Sequence, residues 1–372
     1  MESDISKLSE VPVASLHTWT LAAYKYMARK RLARKADLDI KRVAAKSWDI
    51  APGETTLSPP AFYLPNQMER VTGWEGKRFY PYVHPGRTME GGITTEQGPT
   101  RGYLIKDVWL VDGALYKGDA SHWLSLKPSA FPRIIVEHEL ERAAAYCTQN
   151  GNTWFGTWLM EDCPTYALAC EEGIPITTAP SRRFPLFAQG PAYEDWLGMQ
   201  PLRLRSAFIR ELVLFDDLSN NRNRHLRYRA MGDKLLSHVE HAPHPGVFIL
   251  RGSDGDLRLL RNELEIAEHL RQHRGFRVID PMKNEVPTII AACAGARVVI
   301  GVEGSQLVHG VNVMQAGSTL LALQPPNRFV SYYKYLTDRD QQHYAFVVGV
   351  PEGEGFRIDI DEVERTLDLL PS

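Results

Sequence analysis

The sequence predicts an α/β protein with a parallel sheet, and three observations carry that prediction. Residues 246–250, 297–301 and 319–323 are short aliphatic runs, each followed by a Gly, Glu or Pro turn signal, as expected of strands buried on both faces. Helical patterns separate them; across 262–273, Leu264, Ile266, Ala267 and Leu270 form an apolar face that stops at Gly275, before a further run at 276–279. The alternation of strand and helix at this spacing is that of βαβ units. At 372 residues the chain has room for two domains, each with its own core.

The N-terminal 46 residues carry the one charge-patterned stretch. Leu16, Trp19, Leu21, Tyr24 and Met27 precede Arg29-Lys30-Arg31-Leu32-Ala33-Arg34-Lys35. Read as a helix, residues 16–46 offer an apolar stripe beside many cations. That stripe suits either peripheral contact with an anionic membrane surface or packing on its own domain with a solvated basic face. Residues 47–135 are rich in Pro, Gly and aromatics, and Asp112-Gly113 between runs 103–111 and 114–116 signals a hairpin in a small β-rich element. Trp74, Phe79, Tyr80 and Tyr82 are expected to pack beneath loops, with stacking on sugar as the other reading.

After Asn150-Gly151-Asn152 a helix is expected from Thr153, kinked or ended by Pro164. A short strand at 174–176, a helix at 189–200, a strand at 211–215 and a helix at 228–239 follow. The arginines Arg222, Arg224, Arg227 and Arg229 suit either a diphosphate or an exposed helix start. His241-Ala242-Pro243-His244-Pro245 is a break, and the domain boundary is placed near residue 240. A strand at 345–350 and a final helix at 360–370 complete the chain.

Composition narrows the function. The chain is 44% hydrophobic and 24% charged with net charge −2, which gives no global attraction to nucleic acid. Cys147, Cys163, Cys170 and Cys293 have no metal-ligand spacing and fit reduced thiols in a cytoplasmic protein. The opening MESDISKLSE is acidic and polar, unlike a secretory signal, and no apolar run is long enough to span a membrane.

Chemistry is expected where the strand at 298–300 ends. The turn Gly301-Val302-Glu303-Gly304-Ser305 allows close backbone approach, and a helix opening near Ser305 would offer free N–H groups to phosphate. Parallel sheets bind ligands beyond the carboxyl ends of their strands. Asp254-Gly255-Asp256 spells a D-x-D, which elsewhere holds a metal-bound diphosphate, but is read here as a polar turn; no metal site and no cofactor is assigned.

The run VVIGVEGSQLVHGVNVMQAGSTLLAL, with Arg251, Arg261-Asn262-Glu263 and Asp280-Pro281 upstream, resembles the C-terminal signature of the family-61 glycosyltransferases. CTQNGNTWFGTWLMEDCPTYALAC resembles the N-terminal signature through Trp158-Leu159, Glu161-Asp162 and Pro164. Four positions depart from the pattern: Thr157 and Glu303 replace histidines, Ala322 replaces a Glu and Ser305 replaces an Ala.

The resemblance implies a GT-B-like α/β fold, two Rossmann-like domains facing a cleft. It also implies metal-independent, inverting transfer from a nucleotide-sugar donor to a glycan or other hydroxyl acceptor, typically in surface or capsular polysaccharide biosynthesis. The expected layout is a basic segment 1–46, an acceptor domain 47–240, a nucleotide-sugar domain 241–350 and a helix 351–372 packing back on the first domain. Arg251, Gly304 and Ser305, with Arg261, are assigned to the leaving diphosphate. Glu161 and then Asp162 are assigned as general base. Glu303 is placed on ribose hydroxyls, on the acceptor or as a helix cap; Asn262 and Glu263 are expected to cap the helix at 262–273. Two rivals stand beside this: a scaffold of the same fold that has lost catalysis, and a sugar-nucleotide epimerase.

Overall fold

The computed structural model describes residues 14–33, 38–75, 85–126, 131–180, 185–252 and 258–371. The chain forms two compact units, residues 1–52 with 99–227, and residues 53–98 with 228–372. The division differs from the sequence layout in one respect above all: 53–98 belongs with the C-terminal part. It is mixed α/β, and no helix among the described residues is long and apolar enough to cross a membrane.

The first unit is built on one mixed sheet of ten strands. Its parallel part has the order Leu202–Leu204, Ile174–Thr178, Ile135–Ala145, Ser206–Asp216. Thr100–Val111 then runs antiparallel to Ser206–Asp216 and turns back as Ala114–Lys117. Asp112 and Gly113 both take positive φ, 46° and 82°, the two-residue turn that an Asp-Gly pair favours. Only Arg205 separates Leu202–Leu204 from Ser206–Asp216, although two strands stand between them in the sheet. Two Cα steps cover about 7 Å, so the sheet curls until its parts meet: the Asp112 N–H donates to the Arg205 carbonyl at 2.8 Å.

The N-terminal segment is not helical throughout. Ala14–Trp19 is a strand antiparallel to Ile135–Ala145, and the helix is Ala22–Ala33. Ala23 and Tyr26 are buried against Val111, Ala114 and Tyr116. Two of its exposed cations have partners in the same unit: Arg29 pairs with Asp119 and Lys30 lies 5.9 Å from the Trp123 ring.

The second unit holds a five-stranded, fully parallel sheet: β1 (His244–Ile249), β2 (Arg277–Ile279), β3 (Ala296–Val302), β4 (Thr319–Gln324) and β5 (His343–Val348). The order is β2-β1-β3-β4-β5, a doubly wound order in which the chain reverses direction across the sheet between β1 and β3. All three aliphatic runs are therefore in one sheet, with Val247 beside Val299 and Phe248 beside Ile300. Helix α1 (Glu263–Arg274) ends as expected at Gly275, which takes φ 67°, while the Phe276 N–H closes on the Leu270 carbonyl at 3.2 Å. Ile266 and Leu270 enter a core with Phe248, Ile300, Leu321 and Val347.

The last helix, α2 (Ile360–Leu367), starts on an Asp359 cap whose carboxylate accepts from the Asp361 N–H at 3.0 Å. The sequence reading sends this helix back onto the first domain; its buried Val363 joins the second unit's core, and its Glu362 pairs with Arg70, which the sequence layout placed in the first domain. Residues from 53–98 pack there too. Trp74–Glu75 pairs with Phe329–Val330, the Trp74 ring lies 4.9 Å from Phe329, and Arg70 makes two bonds to Glu362 at 2.5 and 2.7 Å. Trp74 is thus a packing residue; Phe79, Tyr80 and Tyr82 lie outside the described residues.

Candidate functional site

In the second unit the carboxyl ends of β1 and β3 lie side by side at the point where the strand order reverses, the place where such sheets take ligands. Arg251 follows β1. The Arg251 and Gly252 N–H groups donate to the two oxygens of Glu263, at 2.7 and 3.0 Å, so Glu263 clamps the loop after β1 and does not cap the helix it opens. Asn262 does not cap it either: its side chain exchanges two hydrogen bonds with the backbone of Ile358.

Arg251 reaches across to β3. Its Nη1 approaches the Glu303 carbonyl at 3.5 Å and Gln306 Oε1 at 3.3 Å. Arg258, which the sequence did not single out, donates to that same carbonyl from Nη1 at 3.0 Å and pairs with the Glu303 carboxylate. Two guanidinium groups therefore converge on one oxygen. Burial, with Arg251 and Arg328 nearby, pulls the Arg258 guanidinium down to about 10. Arg258 Nε has no hydrogen-bond partner among the described residues.

Glu303 is buried in this pair and does not cap the turn that follows. Gly304 is needed for close approach: a Cβ there would stand 1.9 Å from Arg251 Nη1. Its carbonyl accepts from the buried Tyr333 hydroxyl at 2.6 Å. The expected helix at Ser305 is short, a 3₁₀ turn Ser305–Leu307 running into Val308–Val311, so any dipole it offers is small. His309 within it is buried, which pulls its imidazole down to about 3 and leaves it a poor base. Arg261 is not brought to this cluster. Its side chain lies along the turn at Gly353 and Gly355. Asp254 and Asp256 lie outside the described residues.

In the first unit the N-terminal signature folds at the carboxyl ends of the adjacent strands Ile135–Ala145 and Ser206–Asp216, again where the parallel order reverses. A helix does follow Asn152, but it contains a π turn, Trp158–Asp162, between Phe155–Thr157 and Cys163–Glu172. Pro164 has no N–H for the carbonyl of Met160, four residues back. Arg224 Nη2 donates to it instead at 3.1 Å, and Arg227 Nη1 donates to the Pro164 carbonyl at 2.8 Å. Both arginines also face the buried Asp217. Arg227 makes two bonds to it at 2.6 and 2.8 Å, and Thr100 and Thr165 add two more at 3.0 and 2.7 Å. Burial alone would raise the Asp217 carboxyl, but Arg224, Arg227 and Thr165 outweigh it and hold the group below its ordinary value. Arg224 and Arg227 thus tie the helix to the sheet; the diphosphate reading does not fit their partners.

Glu161 and Asp162 are both buried in the π turn. Asp162 Oδ2 accepts from the Thr148 N–H at 2.9 Å, and a Cβ on Gly151 would stand 1.8 Å from that oxygen. Burial, followed by the charge of Glu161, pushes the Asp162 carboxyl well above the usual range despite the Thr148 bonds. Asp162 is thus committed to shaping the turn at 148–151.

No curated protein matches the chain. The family model Glycosyltransferase 61 matches residues 122–321, over half of the sequence and both turn regions described above. The chain belongs to glycosyltransferase family 61 and is a glycosyltransferase.

Proposed function

We propose that this enzyme transfers a sugar, with inversion, from a nucleotide-sugar donor bound by the second unit to a hydroxyl acceptor bound by the first, the two facing a cleft as in a GT-B enzyme. Capsular or other surface polysaccharide is the setting that the family resemblance implies. The observation that carries the donor assignment is the convergence of Arg251 and Arg258 on the Glu303 carbonyl, at the reversal point of a parallel sheet. The Glu303 carboxylate offsets one of these two charges, and the net positive charge that remains favours a further anion.

In the proposed step the acceptor oxygen attacks the anomeric carbon, the bond from that carbon to the diphosphate oxygen breaks, and the diphosphate leaves with the electron pair. Arg251 and Arg258 neutralise the charge that develops on it. Gly304 and Ser305 line the same edge. A carboxylate on the acceptor side takes the hydroxyl proton, and Glu161 has that role in preference to Asp162, which is the more deeply buried of the two and gives one oxygen to the turn at 148–151. The Glu303 carboxylate holds Arg258 in place and faces the donor's hydroxyls.

Calorimetric titration of a panel of nucleoside diphosphates and their nucleosides tests the donor site. Arg251→Ala is expected to weaken diphosphate binding by about 1.5–3 kcal/mol, the worth of a hydrogen bond to a charged group, and to leave nucleoside binding nearly unchanged. Equal losses for both ligands remove Arg251 from the phosphate role.

A further inference from the structure

The first unit's sheet and the segment around residues 185–194 line an open-mouthed pocket of about 420 Å³, within the range of small-molecule sites. One wall is aromatic: Tyr146, Trp158 and Phe187. Trp158 and Phe187 have ring centroids 5.9 Å apart, so the wall is a packed surface rather than isolated side chains. The same lining includes Asp112 and Arg205. The two sit 3.8 Å apart, beyond hydrogen-bond length, and that is the one ion pair Arg205 makes among the described residues. Its side chain is 54% exposed. Asp112 is fixed by the Arg133 N–H, which donates to it at 3.0 Å. Asn152, also in the lining, is held by Thr177 and by the Leu124 carbonyl.

An aromatic face in one lining with planar donors and acceptors suits a ligand with C–H groups on its ring faces and hydroxyls round its edge. A purely apolar ligand would leave Asp112 and Arg205 with only their long ion pair and the Arg133 contacts, and would use none of their remaining hydrogen-bonding capacity. The acids Asp112 and Glu194 in the lining are matched by Arg133, Arg203 and Arg205, and Arg203 is already paired with Glu194, so the polar edge carries both signs of charge and suits hydroxyls, which donate and accept, better than a lone anion. We infer that this cavity is a saccharide-binding subsite, holding a sugar ring against the Trp158–Phe187 wall with its hydroxyls on Asp112 and Arg205. Naming its occupant as the acceptor's terminal sugar rests on the proposed function; the affinity for a sugar ring does not.

Saturation-transfer NMR of the whole protein with a panel of methyl glycosides, without donor, tests the inference. At least one glycoside is expected to bind, and Phe187→Ala and Arg205→Ala each to weaken it by about tenfold or more. Phe187→Tyr, which keeps a ring face, is expected to retain binding, and so separates loss of the wall from loss of the fold. No glycoside binding, or binding that neither variant changes, overturns the subsite. Nucleoside-diphosphate titration of the same samples separates the two proposals. Glycoside binding without diphosphate binding leaves the subsite and defeats the donor site, and the reverse result defeats the subsite alone.

Discussion

Gly304 isolates what single residues contribute to the proposed donor site. An added Cβ would meet the far ends of two flexible side chains, Arg251 Nη1 at 1.9 Å and Gln306 Oε1 at 2.5 Å, so the backbone can stay where it is while Arg251 must move. Gly304→Ala is therefore expected to leave the unfolding midpoint nearly unchanged while weakening nucleoside-diphosphate binding about tenfold or more. A large fall in stability with intact binding would show that Arg251 is not what the glycine makes room for. That Arg251, Glu303 and Gly304 come together is legible in the sequence, because Arg251 and the Glu303-Gly304 turn follow aliphatic runs that pair as neighbouring strands. Arg258 was not legible. It stands three residues before Arg261, and only the path of the loop after β1 decides which of the two turns toward Glu303.

At the scale of elements, the N-terminal signature is a strand end, a tight turn and a helix with a π turn, held together by buried charge. The helix and its disturbance at Pro164 could be read from sequence. The π turn could not, because it depends on carbonyl partners supplied from far along the chain, such as Arg224. Gly151→Ala would press a Cβ into the buried Asp162 carboxylate, which has no room to retreat, and is expected to cost about 1–3 kcal/mol in denaturant unfolding. A neutral result would mean that the turn at 148–151 moves freely. Asp217→Asn is expected to cost more, about 3–5 kcal/mol, because Arg224 and Arg227 lose their shared counter-charge. Its pH signature has a definite sign. The folded protein holds Asp217 below its ordinary value of 3.8, so the stability it contributes is complete above that value and is lost as pH falls through the folded one. Urea unfolding from pH 7 downward should show a wild-type acid loss that Asp217→Asn lacks in part; parallel curves would remove Asp217 from the acid transition.

Across the whole molecule, the feature least visible in the sequence is the assignment of residues 53–98 to the C-terminal unit. Nothing local marks it. It rests on long-range pairings such as Phe329 with Trp74 and Arg70 with Glu362. The parallel sheet, by contrast, is written in aliphatic runs that need no distant partner to be recognised. The two units also divide the proposed chemistry, Glu161 lying in the first and the Arg251–Arg258 pair in the second. Binding and turnover should then fail separately. Glu161→Gln keeps the size of the side chain and most of its hydrogen bonding but removes its basicity. It is expected to lower kcat by about 10²–10⁴-fold, the usual worth of a general base, with nucleoside-diphosphate affinity intact. Arg251→Ala is expected to lose that affinity first. The pH profile adds an independent readout: if Glu161 takes the acceptor proton, Glu161→Gln loses the acid limb of kcat along with the rate. Normal turnover in Glu161→Gln beside an inactive Glu303→Gln would move the base into the second unit, leaving Glu161 a buried member of the π turn with no part in proton transfer.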